Sequence, residues 1–112
     1  MEKRPWGSFT VLYDEWSTYK IKEIVVNPGK RLSLQRHRRR AEHWTIIEGS
    51  GLVTINNSSV SVMPNSTVHI PIRSIHRIEN TSDDVLRFIE IQTGVYFGED
   101  DIERLADDFG RV

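Results

Sequence analysis

Short runs of alternating apolar and polar residues, separated by turn-forming residues, fill the first ninety or so positions of the chain. Such alternation is typical of strands that bury one face and expose the other. The runs lie at 9–13, 18–26, 31–37, 43–49, 52–56, 59–63, 66–70 and 85–92. Clusters of Asn, Pro, Gly, Ser or Asp at 27–29, 49–51, 56–58, 64–65 and 80–84 separate them as turns. The sequence therefore predicts one all-β domain over residues 1–112, a small double-sheet jelly roll or barrel.

The last segment, EDDIERLADD at 99–108, has a different pattern. Acidic residues occupy its first turn, and Ile102, Leu105 and Ala106 recur at helical spacing. This segment is predicted to form a short C-terminal helix.

Composition excludes several classes of protein. The 112 residues carry 15 Lys and Arg against 16 Asp and Glu, for a formal net charge of −1. A general nucleic-acid binder normally has a basic excess, so we expect no nucleic-acid partner. The absence of cysteine excludes disulfides and thiolate metal sites. The sequence shows neither a secretory signal nor an apolar run of the ~20 residues needed to cross a bilayer, so a cytoplasmic protein without membrane contact is expected.

The stretch from Gly29 to Gly49 contains side chains suited to a metal ion. Gln35 and His37 lie two residues apart, which in a strand places both on one face. Glu42 follows a short basic turn and would begin the returning strand, with its carboxylate opposite the first two groups. An amide oxygen, an imidazole and a carboxylate suit Zn, Mn, Fe, Co or Ni. We therefore expect a metal site on a β-hairpin that still lacks a fourth ligand.

A second stretch, HIPIRSIHRIEN at 69–80, repeats the strand–turn–strand pattern. Together the two stretches resemble the paired motifs of the cupin superfamily. The matching positions are Gly29, His37, Glu42, Gly49, Pro71, His76 and Asn80. Three positions depart from the motifs: Gln35 replaces the usual first histidine, and Asn65 and Arg73 replace two glycines of the second motif.

Longer segments resemble one cupin family, the C-terminal domain of bacterial type II mannose-6-phosphate isomerases. They are RPWGSF at 4–9, YKIKEIVVNPGKRLSLQ at 19–35, RAEHWTIIEGSG at 40–51 and IEIQTGVYFGEDDIERLADDFGR at 89–111. The resemblance covers nearly the whole chain and implies a small double-stranded β-helix. No segment resembles the nucleotidyltransferase domain that usually precedes this domain in the type II enzymes.

The resemblance also implies a metal site and a reaction. Gln35, His37, Glu42 and His76 would hold a divalent ion, with zinc expected and Mn, Co, Ni or Fe as alternatives. The activity implied is the interconversion of mannose 6-phosphate and fructose 6-phosphate through a cis-enediol. The expected substrate is therefore a phosphorylated sugar.

This reaction needs a general base and a site for the phosphate. We consider Glu48, Glu90 and Lys22 as the base, in that order. Arginine binds phosphate through two parallel hydrogen bonds and lysine as a point charge, so Arg31, Arg40 and Lys22 are the candidates for the phosphate. For each basic residue taken singly, a structural salt bridge is an equally good interpretation.

Other interpretations stay open on the sequence alone. One is a non-catalytic cupin that binds a sugar or metabolite, and another is a metal-dependent cupin of a different reaction type, such as a dioxygenase. His43 and His69 have the opposite strand parity to Glu42 and His76, which predicts that they lie on the outer face or in packing. A homodimer is expected, formed through an edge strand such as residues 9–13 or the N-terminal segment.

Overall fold

The structure, a computed structural model, describes residues 1–15 and 18–112. Its strands are β1 (Glu2–Arg4), β2 (Gly7–Glu15), β3 (Tyr19–Val26), β4 (Leu34–His37), β5 (Arg40–Glu48), β6 (Gly51–Ile55), β7 (Ser58–Val62), β8 (Thr67–Ile70), β9 (His76–Asn80), β10 (Leu86–Gly94) and β11 (Ile102–Ala106). A single 3₁₀ turn, Glu99–Asp101, precedes β11 in the described part of the chain. The all-β prediction is confirmed.

The strands form two sheets in which neighbouring strands are antiparallel. One sheet has six strands in the order β1-β2-β3-β10-β5-β8, and the other has five in the order β11-β4-β9-β6-β7. This is the double-sheet arrangement that the alternating runs predicted.

The apolar core lies between the two sheets. Alternate residues of β5, β9 and β10 are buried, as the period of two in the sequence requires. Trp44, Ile46, Val53, Ile78 and Phe88 are each at most 2% exposed. Burial of each such side chain contributes about 1.5–3 kcal/mol. Toward one end of the interior the alternate positions become polar, and this end contains the candidate site described below.

The predicted C-terminal helix is wrong. Residues 102–106 form β11, which pairs antiparallel with β4 so that Ile102 lies opposite His37 and Arg104 opposite Gln35. Pairing with β11 covers an edge of β4 that would otherwise expose unpaired backbone groups. The long-range pairing with β4 therefore prevails over the helical spacing of these residues. No helix in the described residues is long and apolar enough to cross a membrane.

The sequence analysis expected the first motif to form a hairpin, but the motif does not form a hairpin within one sheet. Strand β4 belongs to the five-stranded sheet and β5 to the six-stranded sheet, so the chain crosses from one sheet to the other at Arg38 and Arg39. The second motif crosses in the same way between β8 and β9. Each motif therefore contributes one strand to each wall of the interior.

Asn65 and Arg73, which stand where the second motif usually has glycine, both adopt left-handed backbone conformations, with φ of 73° and 70°. Glycine is favoured at such positions because other residues there are strained by about 1–2 kcal/mol, with Asn less penalised. The backbone N–H of Arg73 donates to the carbonyl of His37 at 2.7 Å, which ties this turn to β4. The turn geometry is thus kept although the glycines are absent.

Candidate metal centre and adjoining cavity

Three side chains that could ligate a metal converge between the sheets. His37 ends β4, Glu42 lies near the start of β5, and His76 begins β9. One ligand atom from each lies within 4.8 Å of the others, and all three residues are buried. The Nε2 atom of His37 is 3.2 Å from Oε2 of Glu42. The three come from facing sheets, so it is the crossing of the chain between sheets that assembles the group.

Both imidazoles are held in the neutral form that a metal requires. Burial, the charge of Arg40 and the nearby His76 lower the pKa of His37 to about 3. Burial also lowers the pKa of His76, although the hydrogen bond to the Ser74 carbonyl opposes the shift. That hydrogen bond joins Nδ1 of His76 to the carbonyl at 2.9 Å, so Nδ1 carries the proton and Nε2 keeps its lone pair for a ligand.

Gln35 lies beside this group as a fourth candidate ligand, through its amide oxygen. It is directly opposite His76 in the β4–β9 pairing, and directly opposite residues share a face of the sheet. Its amide nitrogen donates to Oγ of Ser33 at 3.1 Å, which leaves the amide carbonyl oxygen as the group available to an ion. Two neutral imidazoles, one carboxylate and one amide oxygen fit a divalent ion of the zinc to manganese range.

A second buried carboxyl group, that of Glu90 on β10, adjoins the ligand group. Trp44 Nε1 donates to Glu42 Oε1 at 3.0 Å and to Glu90 Oε1 at 3.2 Å. Gln92 donates to the other oxygen of Glu90 at 2.8 Å. Burial, together with the charge of Glu42 and a hydrogen bond to it, raises the pKa of Glu90 to about 8. Glu90 is therefore an acid that can hold or release a proton near neutral pH.

Two buried cations complete the site. Arg40 donates from Nε to Oε2 of Glu42 at 3.0 Å, and Lys22 Nζ lies 2.8 Å from Oε1 of Glu99. Burial opposes the charge of Arg40, yet the surrounding carboxylates, with Glu42 first, raise its pKa above the ordinary value. Lys22 also lies over the ring of Phe9, 4.4 Å from the ring centre. Both cations therefore keep strong electrostatic partners inside the fold.

These groups share a cavity of about 100 Å³. Its lining includes Lys22, Gln35, Arg40, Glu42, His76 and Glu90, all of which the sequence analysis had singled out. His37 lies directly behind Glu42 and Arg40. The structure thus gathers most of the candidates into one place.

Two candidates are not brought to the cavity. Glu48, the first choice as base, pairs with Arg87 at 2.7 Å, and about half of its side chain is exposed. Arg31, a phosphate candidate, forms a two-fold hydrogen bond with Asp108 at 2.8 and 2.9 Å. For Arg31 the salt-bridge interpretation agrees with the structure. The outward direction of the Glu48 side chain has a local cause. The β-bulge of the β5–β10 pairing lies beside Glu48 and turns its side chain away from the inner face.

Sequence reasoning missed several residues of the site. Trp44, Gln92 and Glu99 were not linked to the metal ligands, although Trp44 has the strand parity of Glu42. Arg104 also lines the cavity, because β11 places it opposite Gln35. The assignment of residues 99–108 to a helix concealed that position. His43 and His69 are exposed as a cross-strand pair, as parity predicted, with Nε2 and Nδ1 3.2 Å apart.

Comparison with known proteins places this site in a family. Residues 2–107 match the family model described as mannose-6-phosphate isomerase C-terminal. The chain is 46% identical over 109 residues to the alginate biosynthesis protein AlgA of Pseudomonas aeruginosa, covering 97% of this chain and 22% of that protein. It is 40% identical to a mannose-1-phosphate guanylyltransferase of Escherichia coli, covering 97% and 23% respectively. The chain therefore spans about a fifth of the length of these relatives.

A solved structure supports the same fold. The capsular polysaccharide assembling protein CapF of Staphylococcus aureus superposes with a TM-score of 0.81 at 20% identity, covering 95% of this chain and 32% of that one. At that identity the likeness concerns the fold alone. The family match covers almost the whole described chain, including every residue of the ligand group. The chain belongs to the mannose-6-phosphate isomerase C-terminal family of cupin-like domains.

Proposed function

We propose that this chain is a metal-dependent aldose–ketose isomerase that interconverts mannose 6-phosphate and fructose 6-phosphate. The observation that carries the proposal is that a candidate metal-ligating group and a candidate proton-transfer group lie next to each other in one cavity. A metal-ligating group of His37, Glu42 and His76 adjoins Glu90, a carboxyl group whose pKa of about 8 suits proton transfer. The family match supports the same reaction class.

The isomerisation removes a proton from the carbon next to a carbonyl and returns it to the neighbouring carbon. A divalent ion held by Gln35, His37, Glu42 and His76, for which we propose zinc with Mn, Co, Ni or Fe as alternatives, would supply Lewis-acid polarisation of the sugar oxygens. Positions on the ion that these residues do not occupy would be open to the substrate.

Glu90 is the proposed base. Its carboxylate would accept the proton from C2 of mannose 6-phosphate and return it to C1, since a group with a pKa near the working pH can do both. Trp44 and Gln92 hold one carboxyl oxygen each, at 3.2 and 2.8 Å, and so fix the direction of the carboxyl group. This orientation supplies the positioning part of catalysis.

Lys22 and Arg40 have the proposed role of stabilising negative charge. Both line the cavity, and both are nearly fully buried, so their charges act in a medium of low polarity. The enediolate that forms when the proton leaves would be attracted to them. Lys22 remains an alternative base, and its Nζ lies 2.8 Å from Oε1 of Glu99.

The test is a coupled assay of fructose 6-phosphate formation from mannose 6-phosphate with protein loaded with each candidate metal. The variant H76A removes a ligand, and H69A, which alters an exposed histidine outside the cavity, is the matched control. Turnover lost in H76A and kept in H69A is the expected result. No turnover with any of the five metals would refute the proposal and favour a non-catalytic cupin that binds a sugar or metabolite. Oxygen consumption with Fe(II) would favour a dioxygenase.

We also propose a cytoplasmic homodimer. β1 is the outer strand of the six-stranded sheet and pairs with β2 only from Gly7 to Phe9. An exposed edge of this kind can pair with a second copy of the chain. Light scattering at micromolar concentration is expected to give twice the chain mass, and the monomer mass would refute this assembly.

A further inference from the structure

The basic side chains around the cavity fall into two groups according to their partners. Lys22, Arg40 and Arg111 each have a carboxylate oxygen within 3.0 Å. Arg77 and Arg104 also line the cavity, but neither has a carboxylate within ion-pair distance among the described residues. Their positive charges are therefore balanced only at longer range. Asp108, Glu79 and Asp107 act on Arg77, and Asp107 acts on Arg104. Arg4, which also has no ion pair among the described residues, lies over Phe9.

Both arginines also carry buried N–H groups that have no acceptor within residues 1–15 and 18–112. These are Nη2 of Arg77 and Nε of Arg104. The Arg77 side chain is fixed by one hydrogen bond, from its Nε to the Leu32 carbonyl at 2.9 Å. A buried donor on a charged group that has no acceptor is costly, so such groups in native proteins call for a partner.

The register of the five-stranded sheet locates Arg104 relative to the metal ligands. Arg104 pairs with Gln35, and Gln35 pairs with His76, so the three share one face across three neighbouring strands. Strands lie about 4.8 Å apart, which puts the backbone of Arg104 roughly 10 Å from that of His76. Arg104 thus lies on the wall that holds the ligands, but to one side of them.

A hexose 6-phosphate needs two separated subsites of this kind. Its carbonyl and its phosphate are at opposite ends of a six-carbon chain, so the phosphate cannot occupy the metal ligands when the carbonyl does. The lining has six basic side chains and three carboxylic ones, and this excess of positive charge favours the binding of a dianion. Guanidinium groups match phosphate oxygens with parallel hydrogen bonds.

We propose that Arg77 and Arg104 bind the phosphate group of the substrate and so form the second end of the site. This inference rests on the proposed function for the identity of the sugar, but the anion site stands on the unpaired guanidinium groups. It replaces Arg31, which is engaged with Asp108, as the phosphate ligand. Lys22 and Arg40 remain beside the reacting carbons, where Glu99 and Glu42 already balance their charges.

The experiment measures binding by calorimetry, with zinc-loaded protein and three probes: mannose 6-phosphate, mannose and inorganic phosphate. The variants are R77Q and R104Q, with R104K to retain a point charge and R87Q as the control. Arg87 pairs with Glu23 and Glu48 outside the cavity. Zinc affinity and thermal unfolding confirm that each variant is folded and keeps its metal site.

R77Q and R104Q are each expected to weaken mannose 6-phosphate and inorganic phosphate about tenfold or more, because each removes charge-assisted hydrogen bonds. R104K should recover part of the loss, and neither mannose binding nor the R87Q control should change. Unchanged phosphate affinity in both glutamine variants, or equal losses for mannose and mannose 6-phosphate, would overturn the inference.

Turnover separates this inference from the proposed function. Arginine-dependent phosphate binding without isomerisation would support the anion site and refute the isomerase. Isomerisation with an unchanged KM for mannose 6-phosphate in R77Q and R104Q would support the isomerase and refute the anion site.

Discussion

The buried carboxyl group of Glu90 makes the stability of the metal-free protein depend on pH in a defined direction. Its pKa is about 8 in the folded protein and near 4.5 when unfolded. Between these values the folded state binds a proton that the unfolded state has released, so stability falls as pH rises. His37 and His76, whose pKa values are lowered, act in the opposite direction, and their effect fades as the pH rises above about 6.5. The difference in stability between the wild type and a variant without Glu90 therefore isolates this group between pH 6.5 and 8.

The size of the effect follows from linkage. One proton changes the free energy of unfolding by at most about 1.4 kcal/mol per pH unit. Because Glu90 is about half ionised at pH 8, the wild type should lose roughly 1.6 kcal/mol of stability relative to E90Q between pH 6.5 and 8. E90Q removes this titrating group and keeps the histidines, so its own stability should not fall across the window.

Urea unfolding of chelator-treated protein at pH 6.5, 7.0, 7.5 and 8.0 measures this slope. E48Q is the matched control, because Glu48 is an exposed glutamate of the neighbouring strand and should leave the slope intact. A wild-type stability that changes with pH in the same way as that of E90Q would refute the assignment of a raised pKa to Glu90.

Three further outcomes are expected. Zinc in thousandfold excess over its Kd should stabilise the folded protein by about 4 kcal/mol, as measured by thermal unfolding, and H76A but not H69A should abolish the gain. R73G should raise the free energy of unfolding by about 0.5–1 kcal/mol, since glycine relieves the left-handed strain at φ 70° but costs more chain entropy; a loss of stability in urea would contradict this. W44F removes the N–H shared by Glu42 and Glu90, so it should lower the free energy of unfolding by about 1–3 kcal/mol and weaken zinc binding. An unchanged zinc affinity by calorimetry would show that the indole does not position Glu42.

Much of the fold was accessible from the sequence because strand alternation is a local signal. The buried residues of β5 and β10 recur with a period of two, and each run was found within a few residues of its observed bounds. Spacing also grouped Gln35, His37 and Glu42, and the cupin resemblance added His76, although the sheets that carry them were not foreseen. Periodicity shows which residues share a face, but not which sheet a strand joins.

Long-range pairing accounts for what was missed. Glu48 follows the strand parity of Glu42 in the sequence, yet a bulge in the pairing with β10 turns it outward to Arg87. Arg31 was placed on the ligand face by the same parity, but it precedes β4 and pairs with Asp108. Neither ion pair can be predicted from the local sequence, because each joins residues more than thirty positions apart.

The wrong prediction of a helix in the C-terminal segment also affects which residues are assigned to the site. Read as a helix, residues 99–108 would carry Glu99 and Arg104 on a separate element with no defined relation to the metal ligands. As a 3₁₀ turn followed by β11, the segment extends the sheet of Gln35 and His76, sets Glu99 against Lys22, and places Arg104 beside Gln35. The two cupin motifs supply the candidate metal ligands, but the cavity gains its outer wall only when β11 pairs with β4. The proposed specificity for a phosphorylated substrate would then depend in part on Arg104, in a segment whose local pattern predicts a helix and whose structure is a strand.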